Sequence, residues 1–509
     1  MKVVLAGYSL DHEIVQGLRE GGIDPRAPVS PETIPAAYAR ISRYPEPVTE
    51  LREKARRDVE AARRSNQVIV FGMGHHSVAE HVQVNFDIIG VSRLALEALE
   101  EARLCSYTEK SQRYVTLDGD YVIPAEYGQA ERRILEETVS MQVAAYRDAL
   151  PRLHEHHRSQ NPDMDSTPRD RTIVEGWAKE DARYALGLAT EAQLGFSANA
   201  RNLEHVIRKL RHGPLAEVRD LSRLLYEEAS RVVPSLIILS DPAKFRETFG
   251  RDVSDDHLEN APADLRAATE GLVRSGGGSR DEPACRSGSV SLVDHSPDPD
   301  VEVCASLMFS ASERPYAECV GLARNLRSAG PDRFEEYVLG SMRRLTEYDP
   351  PPRAFETASF TFEMELSASA FAQLKRHRMA TQIKQPYDPS LACTFPPSLL
   401  NTGLAPAFES VYARSAEAHR KVSRSAGRSA AEYLLANGHR RRVLFACNMR
   451  EVYHLARIRM DHHAQWDIRR ISADVVECVR KVAPVSARLA TGKDSYPALR
   501  SEVFGPCTR

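Results

Sequence analysis

The chain has 509 residues, of which 42% are apolar and 27% charged; this excludes a disordered or membrane-embedded class and exceeds what one ordinary core holds. Its 68 Lys and Arg stand against 71 Asp and Glu, a near balance that argues against a general nucleic-acid binder and leaves local basic pockets open.

The start, MKVVLAGYSLDHEIVQGL, meets acidic residues too early for a signal peptide, and no apolar run is long enough for a membrane helix. A cytoplasmic chain that binds no membrane is expected. The eight cysteines include no C-x-x-C pair, so neither a zinc site nor a disulfide framework is expected.

Residues 50–65, ELREKARRDVEAARRS, carry helical apolar spacing. GHHSVAEH, residues 74–81, offers His75, His76 and His81, but His76 and His81 lie five apart and miss the spacing of an H-E-x-x-H zinc helix. A helix start with Ser77 as its cap is the more economical reading. VQVNFDIIG then alternates like a strand with one buried face. EKSQRY, residues 109–114, gathers a carboxylate, a hydroxyl, an amide and a guanidinium, as ordinary loops also do. In extended backbone Glu109, Ser111 and Arg113 project to one side, where they suit a uracil edge and a phosphate.

DLSRLLYEEASRVV, residues 220–233, again reads as helix. RSGGGSRDEPACRSGS, residues 274–289, lacks apolar periodicity and reads as a linker, and VSLVDHSPDPDVEV, residues 290–303, opens a new domain with a short strand and a Pro-rich turn.

SFTFEMEL alternates like a strand and precedes Arg376-His377-Arg378. Such a trio is either a solvated cluster or an anion site; the planar fork of Arg suits phosphate or the anionic edge of a flavin. In RMDHHAQWDIR, residues 459–469, His462 and His463 are neighbours, and neighbouring helical residues diverge, so no shared metal ion is expected. Arg459 and His463, four apart on one helix face, suit a phosphate or flavin edge instead. No G-x-G-x-x-G or P-loop sequence is present.

The two sides of the linker match each other in order. Glu80 pairs with Glu356, Phe86 with Phe362, and Arg103 with Arg378 after one residue of slippage; SANARNLEHVIRKLRHGPLAEVR pairs with ACNMREVYHLARIRMDHHAQWDIR. An α+β domain used twice follows, with boundaries at 1–245, 246–289 and 290–509.

Together these landmarks resemble the flavin-dependent thymidylate synthase family, ThyX. The first half keeps Gly74, His75, Ser77, Glu80, His81, then Ser111-Gln112-Arg113-Tyr114, Arg183, Asn199 and Arg201. At the R-H-R position it reads Glu101-Ala102-Arg103, and its A-Q-W-E-I has decayed to PLAEV. The second half has Arg376-His377-Arg378, Asn448, Arg450, Arg459 and Ala464-Gln465-Trp466-Asp467-Ile468. It departs from the family at Gln385-Pro386-Tyr387, at Thr357 and at Glu432.

The resemblance implies two tandem ThyX-like domains, each with long helices packed on a small, mainly antiparallel sheet. It implies reductive methylation of dUMP, with FAD as cofactor and NADPH and methylenetetrahydrofolate as co-substrates, at composite sites built from both halves. Glu109, Ser111, Gln112 and Arg113, with Arg183 and either Arg211 or Arg459, would hold the nucleotide; Ser111, Arg113 and Arg183 would act in catalysis. Arg376, His377, Arg378, Arg103, His75, Ser77, Glu80, Asn448 and His463 would hold FAD. A homodimer mimicking the family's tetramer is implied. The altered TQIKQPY segment leaves open a related flavoenzyme for another pyrimidine nucleotide, and the split motifs leave open a non-catalytic homologue.

Overall fold

The computed structural model describes residues 1–22, 29–117, 119–275 and 290–505. All but the first two residues of the expected linker lie outside the described residues.

Two four-stranded antiparallel sheets organise the chain, and both have the same order. The first runs β1 (Lys2–Tyr8), β2 (Gln83–Ser92), β4 (Glu191–Asn199), β3 (Cys105–Glu109). The second runs β5 (Val290–His295), β6 (Ser359–Ser367), β8 (Arg440–Asn448), β7 (Thr381–Lys384). Their registers are copies of one another. Leu5, Phe86, Phe196 and Tyr107 form one row across the first sheet, and Leu292, Phe362, Phe445 and Gln382 form the matching row of the second. The pairing of Phe86 with Phe362 read from sequence is therefore a pairing of fold positions, and the α+β reading holds.

β2 alternates between exposed and buried residues along most of its length, as its period-two pattern requires. The helix expected over residues 50–65 is two helices, Val48–Arg57 and Val59–Asn66. Asp58 breaks it: its backbone leaves the helical region, and its carboxylate accepts the N–H of Ala61 at 2.8 Å, capping the second helix. Among the described residues no helix is long and apolar enough to cross a membrane.

The expected boundaries follow the linear order of the chain. The compact units take chain from both sides of it. Unit 1 comprises residues 1–139, 188–280 and 419–433, and unit 2 comprises 140–187, 281–418 and 434–509. Each sheet thus lies in a unit that also contains a segment from the opposite half.

Within each unit the borrowed segment is tied in by a tyrosine. In unit 1, Tyr433 donates its hydroxyl to Glu217 at 2.6 Å, and Glu217 also accepts from the backbone and hydroxyl of Ser92, each at 2.7 Å. In unit 2, Tyr184 donates to Asp467 at 3.2 Å, and Asp467 accepts from the Ser367 hydroxyl at 2.7 Å. Ser92 and Ser367 are in turn the N-caps of the helices that leave β2 and β6. The same serine–carboxylate–tyrosine unit is built twice, and the tyrosine is always the one borrowed.

Candidate functional site

Unit 2 gathers most of the expected cations around the short helix Ala368–Leu374. Asn437 holds Arg183 at its start: the Asn437 amide donates to the Arg183 carbonyl at 2.9 Å, and its own carbonyl accepts the N–H of Ser369 at 3.2 Å. Arg376, His377 and Arg378 follow the helix's end, about 10 Å further on at 1.5 Å per residue. Arg183, from the first half of the sequence, is therefore in the same compact unit as the R-H-R trio.

The trio does not act as one surface. Arg376 is exposed, Arg378 is half-buried, and His377 is 1% exposed. Arg459 donates its Nε–H to His377 Nε2 at 3.1 Å, which makes Nε2 an acceptor and leaves the ring proton on Nδ1. Nδ1 then donates to Glu451 at 2.8 Å. Protonating Nε2 would set one N–H against another inside the core, and burial together with the Arg459 charge lowers the His377 pKa to about 3. His377 thus positions Arg459 and Glu451, and both its nitrogens are occupied in doing so. His454 packs edge-on against the same ring, 5.4 Å between centroids.

Gln373 was not singled out from the sequence. It is 9% exposed, and neither atom of its side-chain amide has a partner among the described residues. Its backbone carbonyl accepts from Arg459 at 3.0 Å. A buried, unsatisfied amide one helical turn before Arg376 is a departure from the usual pairing of buried polar groups. Its signal in the sequence was only its spacing of three from Arg376 on an apolar helix.

Three further readings change. The helix Met449–Arg459 ends at Arg459, so His463 sits in a following turn, not on a shared face with Arg459. Asn448 is the N-cap of that helix, accepting the Glu451 N–H at 2.9 Å. Gln385-Pro386-Tyr387, standing in for the serine segment, is used in packing: Tyr387 is fully buried, with the Arg441 guanidinium 3.6 Å from its ring centroid.

Unit 1 holds the other expected residues. β3 stops at Glu109, whose carboxylate is paired with Arg93, and the chain turns at residues 112–114. The extended run that would have aligned Glu109, Ser111 and Arg113 is not formed. Ser111 Oγ accepts the Arg113 N–H at 3.2 Å, Gln112 is buried, and the Arg113 guanidinium lies 5.2 Å from the Tyr114 ring centroid. Arg103 is exposed. Arg211 donates to the Ser240 carbonyl and lies 4.0 Å from Asp255.

The GHHSVAEH segment forms a 3-10 helix, His76–His81, whose N-cap is His75, with no side chain capping it; Ser77 lies inside the first turn. His75 and Ser77 are exposed. Glu80 pairs with Arg201, as Glu356 pairs with Arg450 at 2.7 Å in unit 2. A cavity of about 470 Å³ in unit 1, lined by Arg40, Arg43, Tyr44 and Arg64 among others, contains none of the motif residues.

Comparison with known proteins agrees with the repeated architecture. The family model for the thymidylate synthase complementing protein, Thy1, matches the chain twice, over residues 27–235 and 291–485. A UPF0159 protein of Thermoplasma acidophilum is 26% identical, over 91% of this chain and 96% of that one. A UPF0159 protein of Chlamydia muridarum is 27% identical, over 82% of this chain and 78% of its own length. A flavin-dependent thymidylate synthase of Clostridium tetani is 31% identical and covers 42% of this chain and 84% of itself. Among solved structures, Helicobacter pylori ThyX complexed with FAD and dUMP is 20% identical and covers 45% of this chain and 93% of that one, with a TM-score of 0.28. With two family matches that between them span most of its length, the chain belongs to the Thy1, or ThyX, family of thymidylate synthase complementing proteins.

Proposed function

We propose that the protein is a flavin-dependent thymidylate synthase that methylates dUMP to dTMP, with its working site in unit 2. The observation that carries this is the presence of Arg183, from the first half, in the same compact unit as Gln373, Arg376, Arg378 and Arg459 from the second, where Arg459 is bonded to the Gln373 carbonyl. Unit 1 lacks that set: by the same sequence pairing it has Ala98, Glu101 and Ala102 at the positions of Gln373, Arg376 and His377, and Glu432 at that of Arg183. The site is composite in sequence while compact in space.

The residues fit an anionic nucleotide and the anionic edge of FAD. Arg376 and Arg378 offer always-charged donors at the surface end of the helix, and the orphaned Gln373 amide offers a donor and an acceptor suited to a pyrimidine edge. FAD, when bound, supplies the hydride chemistry that no side chain here carries, with NADPH and methylenetetrahydrofolate as reductant and carbon source. The protein's part is to bind, orient and polarise. Arg183, buried at 6% exposure, suits the nucleotide phosphate in a site shielded from water. Neutral His377 holds the Arg459 guanidinium in one orientation, so that its charge faces an anion without reorganising.

A second reading is favoured by one feature. Tyr387, packed under Arg441, replaces the serine segment of the family, which suits a related flavoenzyme acting on a different pyrimidine nucleotide.

The test is flavin stoichiometry of the purified chain reconstituted with FAD, followed by turnover of dUMP with UMP and dCMP as controls. One flavin per chain and dTMP formation are expected, and Arg183→Ala should raise the nucleotide KM roughly tenfold to hundredfold while flavin is retained. Turnover of a control nucleotide in place of dUMP selects the second reading. Absence of flavin leaves a non-catalytic homologue.

A further inference from the structure

The turn that follows Arg459 has a chemistry of its own. Because the helix has ended, the divergence expected of two neighbouring helical residues does not apply to His462 and His463. Their rings lie 3.7 Å apart, centroid to centroid, at 42°. Asp461 folds back to the same place: its Oδ1 accepts the N–H of His463 at 2.9 Å and lies 3.6 Å from His462 Nδ1. One donor atom from each of Asp461, His462 and His463 falls within 4.8 Å of the others.

A fourth donor arrives from elsewhere in unit 2. Asp494 pairs with His462 Nδ1. Backbone packing seats its loop: a Cβ at Gly492 would meet the Met460 carbonyl group at 2.9 Å, and the Lys493 N–H donates to the Arg457 carbonyl at 3.2 Å. Only glycine permits that approach, so the loop's place does not depend on the His462–Asp494 pair alone.

We infer that Asp461, His462, His463 and Asp494 form a site for a divalent transition metal, zinc being the ion their donors fit. Two imidazoles and two carboxylates make a four-coordinate set, and bonds of about 2.0–2.2 Å put tetrahedral donors about 3.4 Å apart, a separation that side-chain rotation reaches from the arrangement present. Imidazole in half the set disfavours magnesium and calcium, which take oxygen. The His462 and Asp494 side chains are 63% and 47% exposed, so an ion has a path in. Bound there, it would clamp the 492–494 loop to the turn that leads into Gln465, whose amide donates to the Tyr184 hydroxyl at 2.7 Å. The metal is a clasp beside the site, distinct from the flavin and nucleotide chemistry.

The experiment is calorimetric titration of the chelator-stripped full chain with zinc chloride alone, with metal content and melting temperature measured alongside. One zinc per chain is expected, with a rise in melting temperature. His462→Ala and the near-isosteric Asp494→Asn should each weaken binding by about tenfold or more and abolish that rise. Failure to bind zinc overturns the assignment, as does wild-type binding or a wild-type melting shift in either variant.

Discussion

At the residue scale the lesson of the R-H-R trio is that three adjacent polar residues do unlike work. Sequence spacing placed them together on a ligand; burial divides them. His377 faces Arg459, Glu451 and His454, and Glu451 lies 74 residues away in sequence, so no local pattern could have paired them. The environment has a pH signature. A histidine whose folded pKa is lowered to about 3 binds its proton more weakly folded than unfolded, where its pKa is about 6.5. The contribution is fully present above the unfolded value and is lost as pH falls from there toward the folded one. From pH 7.5 to 5.5 the loss is about 1.4 kcal/mol. The Glu451 carboxyl, pushed up by burial, titrates in the opposite sense, so the His377 part is read as the difference between wild type and His377→Gln. Denaturant unfolding at the two pH values should show His377→Gln less stable at pH 7.5, by about 1–3 kcal/mol, and flatter between them. A variant with the full wild-type pH slope would show that His377 is not buried neutral.

At the element scale the decayed and intact copies of the A-Q-W-E-I motif explain each other. Gln465 is the N-cap of the Trp466–Val482 helix and accepts the N–H groups of Asp467 and Ile468 at 3.2 and 3.3 Å. Its counterpart Leu215 cannot cap, and Glu126 accepts the Ala216 N–H at 2.5 Å instead. What decay spared is the acid: Glu217 receives Ser92 and Tyr433 as Asp467 receives Ser367 and Tyr184. The strands and the duplication were legible because alternation and repeated landmarks are local. The substitute cap was not, because Glu126 carries no signal that it serves a helix 90 residues on. Gln465→Ala should lower stability by about 1–2 kcal/mol through the lost cap, while Leu215→Ala loses no cap at all, a contrast that thermal unfolding of the two variants measures.

At the scale of the whole molecule, exchange of segments is the feature that no linear reading of domains anticipates. The sequence shows the linker and the repeat, and both suggest halves that fold alone. Yet Tyr184 and Tyr433 each complete a buried carboxylate network in the unit built mainly from the other half. Removing either segment leaves Asp467 or Glu217 short of a donor in a buried place, at a cost of about 1–3 kcal/mol before lost packing is counted. Loss of a whole helical segment from a unit exposes apolar surface as well, and marginal stabilities do not tolerate both. Residues 1–245 and 290–509 produced separately should therefore be insoluble or only partly folded, and produced together they should co-purify and unfold as one. The intact chain, pairing as a homodimer, should run at twice its 56.8 kDa mass by light scattering. Two halves that each melt cooperatively on their own would mean that the exchanged segments are replaceable from within each half, and the proposal of a composite site in unit 2 would lose its support with them.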